Sequence, residues 1–192
     1  MFRNTGIPKH SEKPLFLSSK KSDQIMSISI HPATEQDLPA IVAIYNQAIA
    51  QKGLTADLDL LVTEDRLEWY KEHTEQYPVL MAFKDNNAVG WVSLSAYRKG
   101  RRALNKTAEI SLYIDMNHLG QGIGTDMMNC MISLAKEKAY HNLIAILIGT
   151  NERSIGLFKK FGFELWGKMP QIIEIDGQKA DHCFYGRNIE EA

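Results

Sequence analysis

The sequence predicts a mixed α/β fold in which strands and helices do not alternate regularly. Three observations support this prediction. Short alternating or continuous apolar stretches, typical of strands, occur throughout the chain. Between them, other segments have apolar residues at every third or fourth position, as amphipathic helices do. The resulting order, β α α β β β α β α β β, places several strands in direct succession, so the predicted sheet is mixed.

The first 25 residues are predicted to be a flexible N-terminal extension, because they combine four lysines and two prolines with little periodicity. A single domain is predicted over residues 26–189. Its first strand, at residues 28–30, stops at Pro32. Met26 directly precedes this strand, so a translation start there and a short functional arm before it both stay open.

Two helices are predicted before the second strand. Thr34 is a suitable N-cap for the first, with Asp37 three residues later and apolar side chains at helical spacing beyond it. The second is predicted to begin at Thr63 and run towards Tyr77, with acidic residues in its first turn where the helix dipole favours them. The segment between the helices, Gly53 to Leu61, is predicted to be a loop.

An antiparallel hairpin is predicted next, with strands at residues 79–83 and 88–94 joined by turn-forming residues. A basic loop then leads into a strand over residues 107–114, in which alternate side chains share a face. Ala108 and the apolar residues that alternate after it form one face, whereas Glu109 lies on the other. One face of this strand is therefore predicted to join the core, and the other to be polar.

The C-terminal half is predicted to contain a helix after a glycine-rich turn, a buried strand, a short helix and closing strands. The first of these helices carries methionines on its buried side. The buried strand spans residues 143–148, and the short amphipathic helix after it ends at Gly162. The closing strands are joined at the turn Asp176-Gly177.

The composition excludes several classes of protein. With 22 basic and 23 acidic residues, the chain has no overall field that recruits nucleic acid or anionic lipid, so neither partner is expected. No apolar run reaches the roughly 18 residues of a membrane span, and a cytoplasmic location is expected. Cys130 and Cys183 lie far apart without metal-ligand spacing, so neither a disulfide nor a metal site is predicted.

The glycine-rich turn after residue 114 is the most informative motif. Such a turn presents unpaired backbone N–H groups at the positive end of a helix dipole, which suits a phosphate or pyrophosphate. It is not a P-loop, because no Lys-Ser/Thr pair follows Gly124. A dinucleotide-binding fingerprint is weak, because Thr125 stands in the place of the third glycine.

Two segments resemble the acyl-CoA motifs of the GNAT acetyltransferase superfamily. The run Leu119-Gly120-Gln121-Gly122-Ile123-Gly124 resembles the pyrophosphate-binding motif, apart from Leu119 in the first position, and residues 151–163 resemble the second motif. The similarity continues from about Ile28 to Asn188, and "IHPATEQDLPAIVAIYN" with "YPVLMAF" resembles the phosphinothricin and related amino-acid acetyltransferase branch. The resemblance implies a GNAT fold: a central, mostly antiparallel sheet, flanked by helices, whose two central parallel strands splay apart.

The resemblance also implies acetyl-CoA as cosubstrate. Backbone groups of the strand at 107–114 would pair with the pantetheine arm, and amides of the glycine turn would hold the pyrophosphate. Asn151 would complete the pantetheine contacts, and it is equally a candidate N-cap for the helix that follows. The implied cofactor-binding residues are Leu112, Tyr113, Ile114, Gly120, Gln121, Gly122, Ile123, Gly124, Thr125, Asn151, Ser154 and Phe158.

Glu109 is the predicted catalytic residue. An aliphatic amine is mostly protonated at neutral pH, so a base must remove a proton before the nitrogen attacks the thioester directly. Glu109 matches the glutamate of the branch's T-x-E motif, here Thr107-Ala108-Glu109, although an ordinary strand glutamate facing solvent is the alternative. Phe158 stands where many relatives have a tyrosine or histidine near the leaving thiolate, so no side-chain general acid is predicted.

The expected acceptor is the primary amine of a small amino-acid-like molecule, with Thr55, Arg102 and Glu109 as substrate-binding residues. Arg102 is a candidate to hold an acceptor carboxylate, although a solvated loop arginine is the simpler interpretation. Leu104 and the segment Lys179-Ala180-Asp181 depart from the phosphinothricin enzymes at expected pocket walls. Phosphinothricin itself is therefore not the favoured acceptor.

Two other functions stay open. A protein or peptide N-acetyltransferase would need an open groove instead of a closed pocket, and the loop Gly53 to Leu61 is the feature that distinguishes them. A non-catalytic acyl-CoA-binding sensor would bind cofactor yet be indifferent to the loss of Glu109. A homodimer is implied by the resemblance, since many relatives pair through their C-terminal strands.

Overall fold

The structure, a computed structural model, describes residues 28–190. The predicted N-terminal extension lies outside the described residues. The strands are β1 (Ile28–Pro32), β2 (Val79–Lys84), β3 (Asn87–Ala96), β4 (Thr107–Ile114), β5 (Asn142–Ile148), β6 (Glu164–Ile175) and β7 (Gln178–Asn188), and the α-helices are α1 (Leu38–Ala50), α2 (Leu67–Glu72), α3 (Ile123–Glu137) and α4 (Glu152–Lys160). The predicted order of strands and helices is confirmed.

One sheet contains all seven strands, in the order β1-β2-β3-β4-β5-β7-β6. Every neighbouring pair is antiparallel except β4 and β5. These two parallel strands pair only from Thr107 with Asn142 to Glu109 with Ile144, whereas β4 stays paired with β3 as far as Ile114. The predicted splay between the central parallel strands is therefore confirmed, and it opens a gap in the middle of the sheet.

The sheet separates two apolar layers, because alternate residues of its strands face opposite sides. On one side, Met127 and Met131 of α3 pack on the strands in the larger core cluster. On the other side, Ile41 of α1 packs with Met81 of β2 and Trp91 of β3. Within residues 28–190, no helix combines the length and the apolar character that a membrane crossing requires.

The second helix is shorter than predicted. A 3-10 turn at Thr63–Arg66 leads into α2, which stops at Glu72 instead of continuing towards Tyr77. His73 has an extended backbone, and its Nδ1 donates to the carbonyl oxygen of Trp69 at 2.7 Å. The side chain thus binds a carbonyl group that a continuing helix would have paired, which stabilises the early end.

Gly90 of β3 lies where β4 and α3 approach the sheet most closely. A Cβ atom at this position would lie 2.7 Å from Cδ1 of Ile114, 3.0 Å from the carbonyl oxygen of Tyr113 and 3.2 Å from Sδ of Met127. The Ile114 and Met127 side chains can adjust, but the backbone oxygen moves only if β4 moves. By contrast, Gly156, on the exposed side of α4, has nothing within 4 Å of its Cβ position.

We expect Gly90→Ala to lower the free energy of unfolding by about 1–3 kcal/mol, because the added methyl group overpacks the junction of β3, β4 and α3. We expect Gly156→Ala to raise it by up to about 1 kcal/mol, since alanine favours the helix and meets no neighbour. Urea unfolding of both variants measures the difference. Equal shifts in the same direction would contradict the close approach at Gly90.

Candidate active site

The floor of the candidate site is formed by β3 and by the face of β4 that the sequence predicted to be polar. The register places Ser95 opposite Glu109, Ser93 opposite Ser111, and Trp91 opposite Tyr113. These three cross-strand pairs line a cavity of 380 Å³. Small hydroxyl side chains therefore surround Glu109 on a face that ends in two aromatic rings.

The walls of this cavity come from both sides of the splay. Residues 146–148 of β5 and His182 of β7 form one wall. The other wall comes from α1, the loop after it and the start of α2, and it consists of Tyr45, Leu54, Thr55, Ala56, Arg66 and Trp69. The cavity thus straddles the place where β4 and β5 separate.

Glu109 is half-buried on the cavity floor, and its carboxylate has no hydrogen-bond partner within residues 28–190. Burial raises the pKa of Glu109, because the charged form loses water without gaining a nearby cation. A carboxyl group with a raised pKa, open to a cavity, is suited to accept a proton from a bound molecule.

The loop between α1 and α2 folds over the cavity and is held there by Tyr45. The hydroxyl of Tyr45 lies 2.8 Å from Oγ1 of Thr55 and donates to Oδ2 of Asp57 at 2.7 Å. Thr55 is only 8% exposed, although residues 56–60 are exposed. Burial raises the pKa of Tyr45, so the hydroxyl stays protonated and donates a hydrogen bond at neutral pH.

Arg66 lies between aromatic rings in the same wall. Its guanidinium carbon is 4.3 Å from the ring centre of Tyr45 and 5.3 Å from that of Trp69. Its Nη2 atom is 3.7 Å from Oδ2 of Asp57, which is an ion pair but too long for a hydrogen bond. The Nε atom is buried and has no hydrogen-bond partner among the described residues.

The glycine turn leads into α3, a helix of 15 residues. Gly120 and Gly122 have φ angles of +75° and +87°, in the left-handed region that favours glycine. The amides of residues 120–124 have no hydrogen-bond partner in the part of the chain that the structure describes. Free amides at the N-terminus of a helix suit a pyrophosphate group, as the sequence predicted.

Thr125 and Gln121 differ in what they offer to a ligand. The amide of Thr125 donates to the carbonyl oxygen of Gly122 at 2.8 Å, so this amide already has a partner. The hydroxyl oxygen of Thr125 lies 3.4 Å from Nζ of Lys160. Oε1 of Gln121 accepts a hydrogen bond from Nζ of Lys84 at 2.8 Å. Two lysines therefore flank the turn, and both were missed in the sequence because they lie far from it along the chain.

The turn is anchored to α1 by Gln47. Its Nε2 donates to Oδ2 of Asp115 at 2.7 Å, and its Oε1 accepts from the amide of Met116 at 2.8 Å. Burial alone would raise the pKa of Asp115, but hydrogen bonds from Gln47, His118 and the Asn117 amide hold that pKa below its usual range. The charged carboxylate thus fixes the segment between β4 and α3.

Residues of the second motif adopt different roles in the structure. The side chain of Asn151 accepts from the amide of Ser154 at 3.2 Å, so its predicted N-cap role for α4 is confirmed. Phe158 is 3% exposed and packs edge-on against Phe163, with ring centres 5.0 Å apart. Phe158 is therefore part of the core, and its contact with a cofactor stays a prediction, as does that of Asn151.

The predicted strand residues lie where β4 has left β5. Tyr113 points into the cavity. Leu112 and Ile114 point to the other side, where their side chains would be 3.7 and 4.0 Å from a Cβ atom on Gly124. Because residues 110–114 do not pair with β5, polar backbone groups along this edge are available to a ligand in the gap.

The structure brings Thr55 and Glu109 to the same cavity but not Arg102. Arg102 is exposed and begins a 3-10 turn, Arg102–Leu104, that does not contribute to the cavity lining. Arg66 and His182, which do line the cavity, were missed. Their only sequence signal is the presence of a charged or titratable residue in an otherwise ordinary helix or strand.

The described residues do not include a set of side chains arranged as metal ligands. Residues 28–190 contain no group of three or more His, Cys, Asp and Glu side chains that could hold a metal ion. Within this range, the groups that line the cavity are hydroxyls, one carboxylate, one guanidinium, one imidazole, aromatic rings and aliphatic side chains.

Comparison with known proteins shows similarity along most of the chain. YwnH of Bacillus subtilis, named as a candidate phosphinothricin acetyltransferase, is 39% identical over 163 residues, which are 84% of this chain and 99% of that protein. An L-methionine sulfoximine/L-methionine sulfone acetyltransferase of Pseudomonas aeruginosa is 32% identical over 169 residues, covering 86% of this chain and 96% of its own.

A solved structure supports the same relationship. The phosphinothricin acetyltransferase of Sinorhizobium meliloti, in complex with acetyl-CoA, has a TM-score of 0.79 at 25% identity and covers 85% of this chain and 89% of its own. The sequence pattern of the family described as Acetyltransferase (GNAT) matches residues 41–163. The match includes β4, the glycine turn and the whole of α4, so the chain belongs to the GNAT acetyltransferase family.

Proposed function

We propose that the protein catalyses acetyl transfer from acetyl-CoA to the primary amine of a small amino-acid-like acceptor. The observation that carries this proposal is the position of Glu109, a half-buried carboxylate without a partner, in a cavity that straddles the splay of β4 and β5. The cavity and the free amides of the glycine turn border the same gap. An acceptor and an acyl donor can therefore approach each other there.

The residues around the gap fit acetyl-CoA. Five consecutive amides without partners, those of residues 120–124, lead into α3, open space surrounds the Cβ positions of Gly120 and Gly122, and the edge of β4 is unpaired beyond Glu109. When bound, acetyl-CoA would supply the acetyl group as a thioester. Amides of the turn would hold its pyrophosphate, and backbone groups of residues 112–114 would align its pantetheine arm.

Glu109 acts as the base in this proposal. Glu109 first takes a proton from the acceptor ammonium. The bond between the acceptor nitrogen and the acetyl carbon then forms as the bond from that carbon to sulfur breaks, and water takes the second proton that the nitrogen loses. The thiolate that leaves takes a proton from water, because Phe158 offers no acidic group. The raised pKa of Glu109 brings it closer to that of the amine, which favours the proton transfer.

The wall that the loop adds to the cavity favours a small acceptor over a protein. Leu54, Thr55 and Ala56 line the cavity, and the hydrogen bond between Tyr45 and Thr55 holds this part of the loop beside the floor. The names of the related enzymes agree, since phosphinothricin and methionine sulfoximine are both amino-acid-like molecules.

A homodimer and a cytoplasmic location are also part of the proposal. β6 lies at the edge of the sheet and exposes apolar side chains, which favours association. These side chains are Leu165, Trp166, Met169 and Ile172. Acetyl-CoA is available in the cytoplasm, and the free thiols of Cys130 and Cys183 agree with a reducing compartment.

We expect Glu109→Gln to lower kcat/KM for the acceptor by about 10²- to 10⁴-fold, because the base is lost while the shape of the cavity is kept. The KM for acetyl-CoA should stay unchanged. The wild-type pH profile should show an acid limb above the usual pKa of glutamate, and the variant should lack this limb. Release of coenzyme A, followed with a thiol reagent, measures both.

The matched control is Glu75→Gln, which alters an exposed loop glutamate outside the cavity and should leave the rate and the pH profile unchanged. If Glu109→Gln retained full activity with the same acid limb, Glu109 would not be the base. If acetyl-CoA bound but no acceptor raised thiol release, the sensor alternative would replace the enzyme.

The raised pKa of Glu109 also predicts a pH-dependent change in stability. Because the folded pKa lies above the unfolded one, the contribution of this group is present below the unfolded pKa and is lost as pH rises through the folded pKa. Glutamine does not ionise, so we expect the Tm of Glu109→Gln, relative to wild type, to be higher at pH 7.5 than at pH 4. A Tm difference that is the same at both pH values would contradict the burial of the charged carboxylate.

We expect sedimentation velocity to show a dimer for the wild type at micromolar concentration. The double change Met169→Asp with Ile172→Asp should shift it towards monomer, because charges replace exposed apolar side chains of β6. Leu104→Asp, which alters an exposed leucine distant from β6 in the sheet order, serves as the control. A monomeric wild type, or equal effects of both changes, would contradict a β6 interface.

A further inference from the structure

Arg66 is the one lysine or arginine among the cavity-lining residues that the structure describes. It lies in the wall formed by α1, the covering loop and α2, whereas Glu109 lies on the floor. The cavity therefore holds a permanent positive charge and a proton acceptor at separate positions. An α-amino acid presents the complementary pair, a carboxylate and an amine.

The hydrogen-bonding capacity of Arg66 is unused. A guanidinium carries five N–H donors, yet Arg66 donates no hydrogen bond to any other residue in the range 28–190, and its buried Nε has no partner. Asp57 partly balances the charge, but its oxygen stays 3.7 Å from Nη2. Leaving the buried Nε donor unpaired, in a side chain that is only 16% exposed, is costly unless a ligand binds beside it.

The position of the guanidinium is fixed by its aromatic neighbours. Tyr45 and Trp69 contact it at 4.3 and 5.3 Å, which are cation–π distances. These contacts stabilise the faces of the group, but the N–H donors lie in its plane and point past the rings. Stacking therefore holds Arg66 in place without providing the partners that its donors require.

We propose that Arg66 is the specificity-determining residue that binds the carboxylate of the acceptor. The planar guanidinium pairs with the carboxylate through charge-assisted hydrogen bonds, which anchors the acceptor in the cavity whose floor carries Glu109. This inference rests on the proposed function. It assigns carboxylate recognition to α2 and its preceding turn, and not to the basic loop that contains Arg102.

The test compares acids with their neutral amides. The best acceptor is chosen from a panel of L-amino acids, L-methionine sulfone, L-methionine sulfoximine and phosphinothricin, and is then assayed beside its carboxamide, which keeps the amine and loses the charge. Wild type, Arg66→Gln, Arg66→Lys and the control Arg102→Gln are compared by thiol release. The KM for acetyl-CoA and the Tm of each variant are measured in parallel.

We expect Arg66→Gln to raise the KM for the acid by about 10- to 100-fold, as the loss of hydrogen bonds to a charged group implies. The KM for the carboxamide should change less than about threefold, so the preference of the enzyme for the acid disappears. Arg66→Lys should recover part of the preference, because it keeps the charge but not the planar fork. Arg102→Gln and the KM for acetyl-CoA should show no change.

Distinct outcomes would overturn the inference. If Arg66→Gln lost the same activity towards the acid and the carboxamide, or if the wild type did not prefer the acid, Arg66 would have only a structural role. The proposed acetyl transfer would not be affected by either result. Loss of the preference in Arg102→Gln alone would move the carboxylate site to the basic loop. A wild type that acetylates no acceptor of the panel would contradict the proposed function and this inference together. If Arg66→Gln does not fold, the same comparison is decided by Arg66→Lys.

Discussion

The short parallel pairing between β4 and β5 is the constraint on which the site depends. It ends at Glu109 with Ile144, so everything beyond this pair in β4 has a neighbour on one side only. The divergence creates the gap, leaves backbone groups of residues 110–114 unpaired, and separates the walls of the cavity by enough to admit a ligand. Had the two strands continued to pair, β5 would have covered the edge of β4 beyond Glu109 and no gap would separate the two strands.

Much of the fold was predictable because local signals agreed with one another. The turn between β2 and β3 is an example: Asp85 and Asn86 both have positive φ angles, 50° and 63°, which these residue types tolerate in tight hairpins. The alternation of apolar and polar residues around Glu109 and the glycines before α3 were equally clear signals. The early end of α2 could not be predicted, because it depends on a hydrogen bond between His73 and Trp69 that leaves no trace in the spacing of apolar residues.

The composition of the cavity could be predicted only in part. Glu109 was found through the chemistry of amine acylation and the resemblance of its strand, but its neighbours Ser93 and Ser95 became recognisable only through the register of β3 with β4. The basic loop beside β4 attracted the carboxylate prediction because it is close along the chain. The structure instead brings Arg66, 43 positions before Glu109 in the numbering, into the cavity, since α2 packs against α1 and the sheet. Proximity in sequence was a poor guide where the site was assembled from separate layers.

The tryptophans that line the cavity allow ligand binding to be followed by intrinsic fluorescence. Of three tryptophans in the chain, Trp69 and Trp91 both line the cavity, with ring centres 5.6 Å apart, and Trp166 lies far from them on the outer strand of the sheet. A molecule that enters the cavity changes the surroundings of these two indole rings, so occupancy alters the intrinsic fluorescence of the chain without any added label. With Trp166 replaced by phenylalanine, that emission would arise from the cavity alone and would follow acceptor binding separately from turnover.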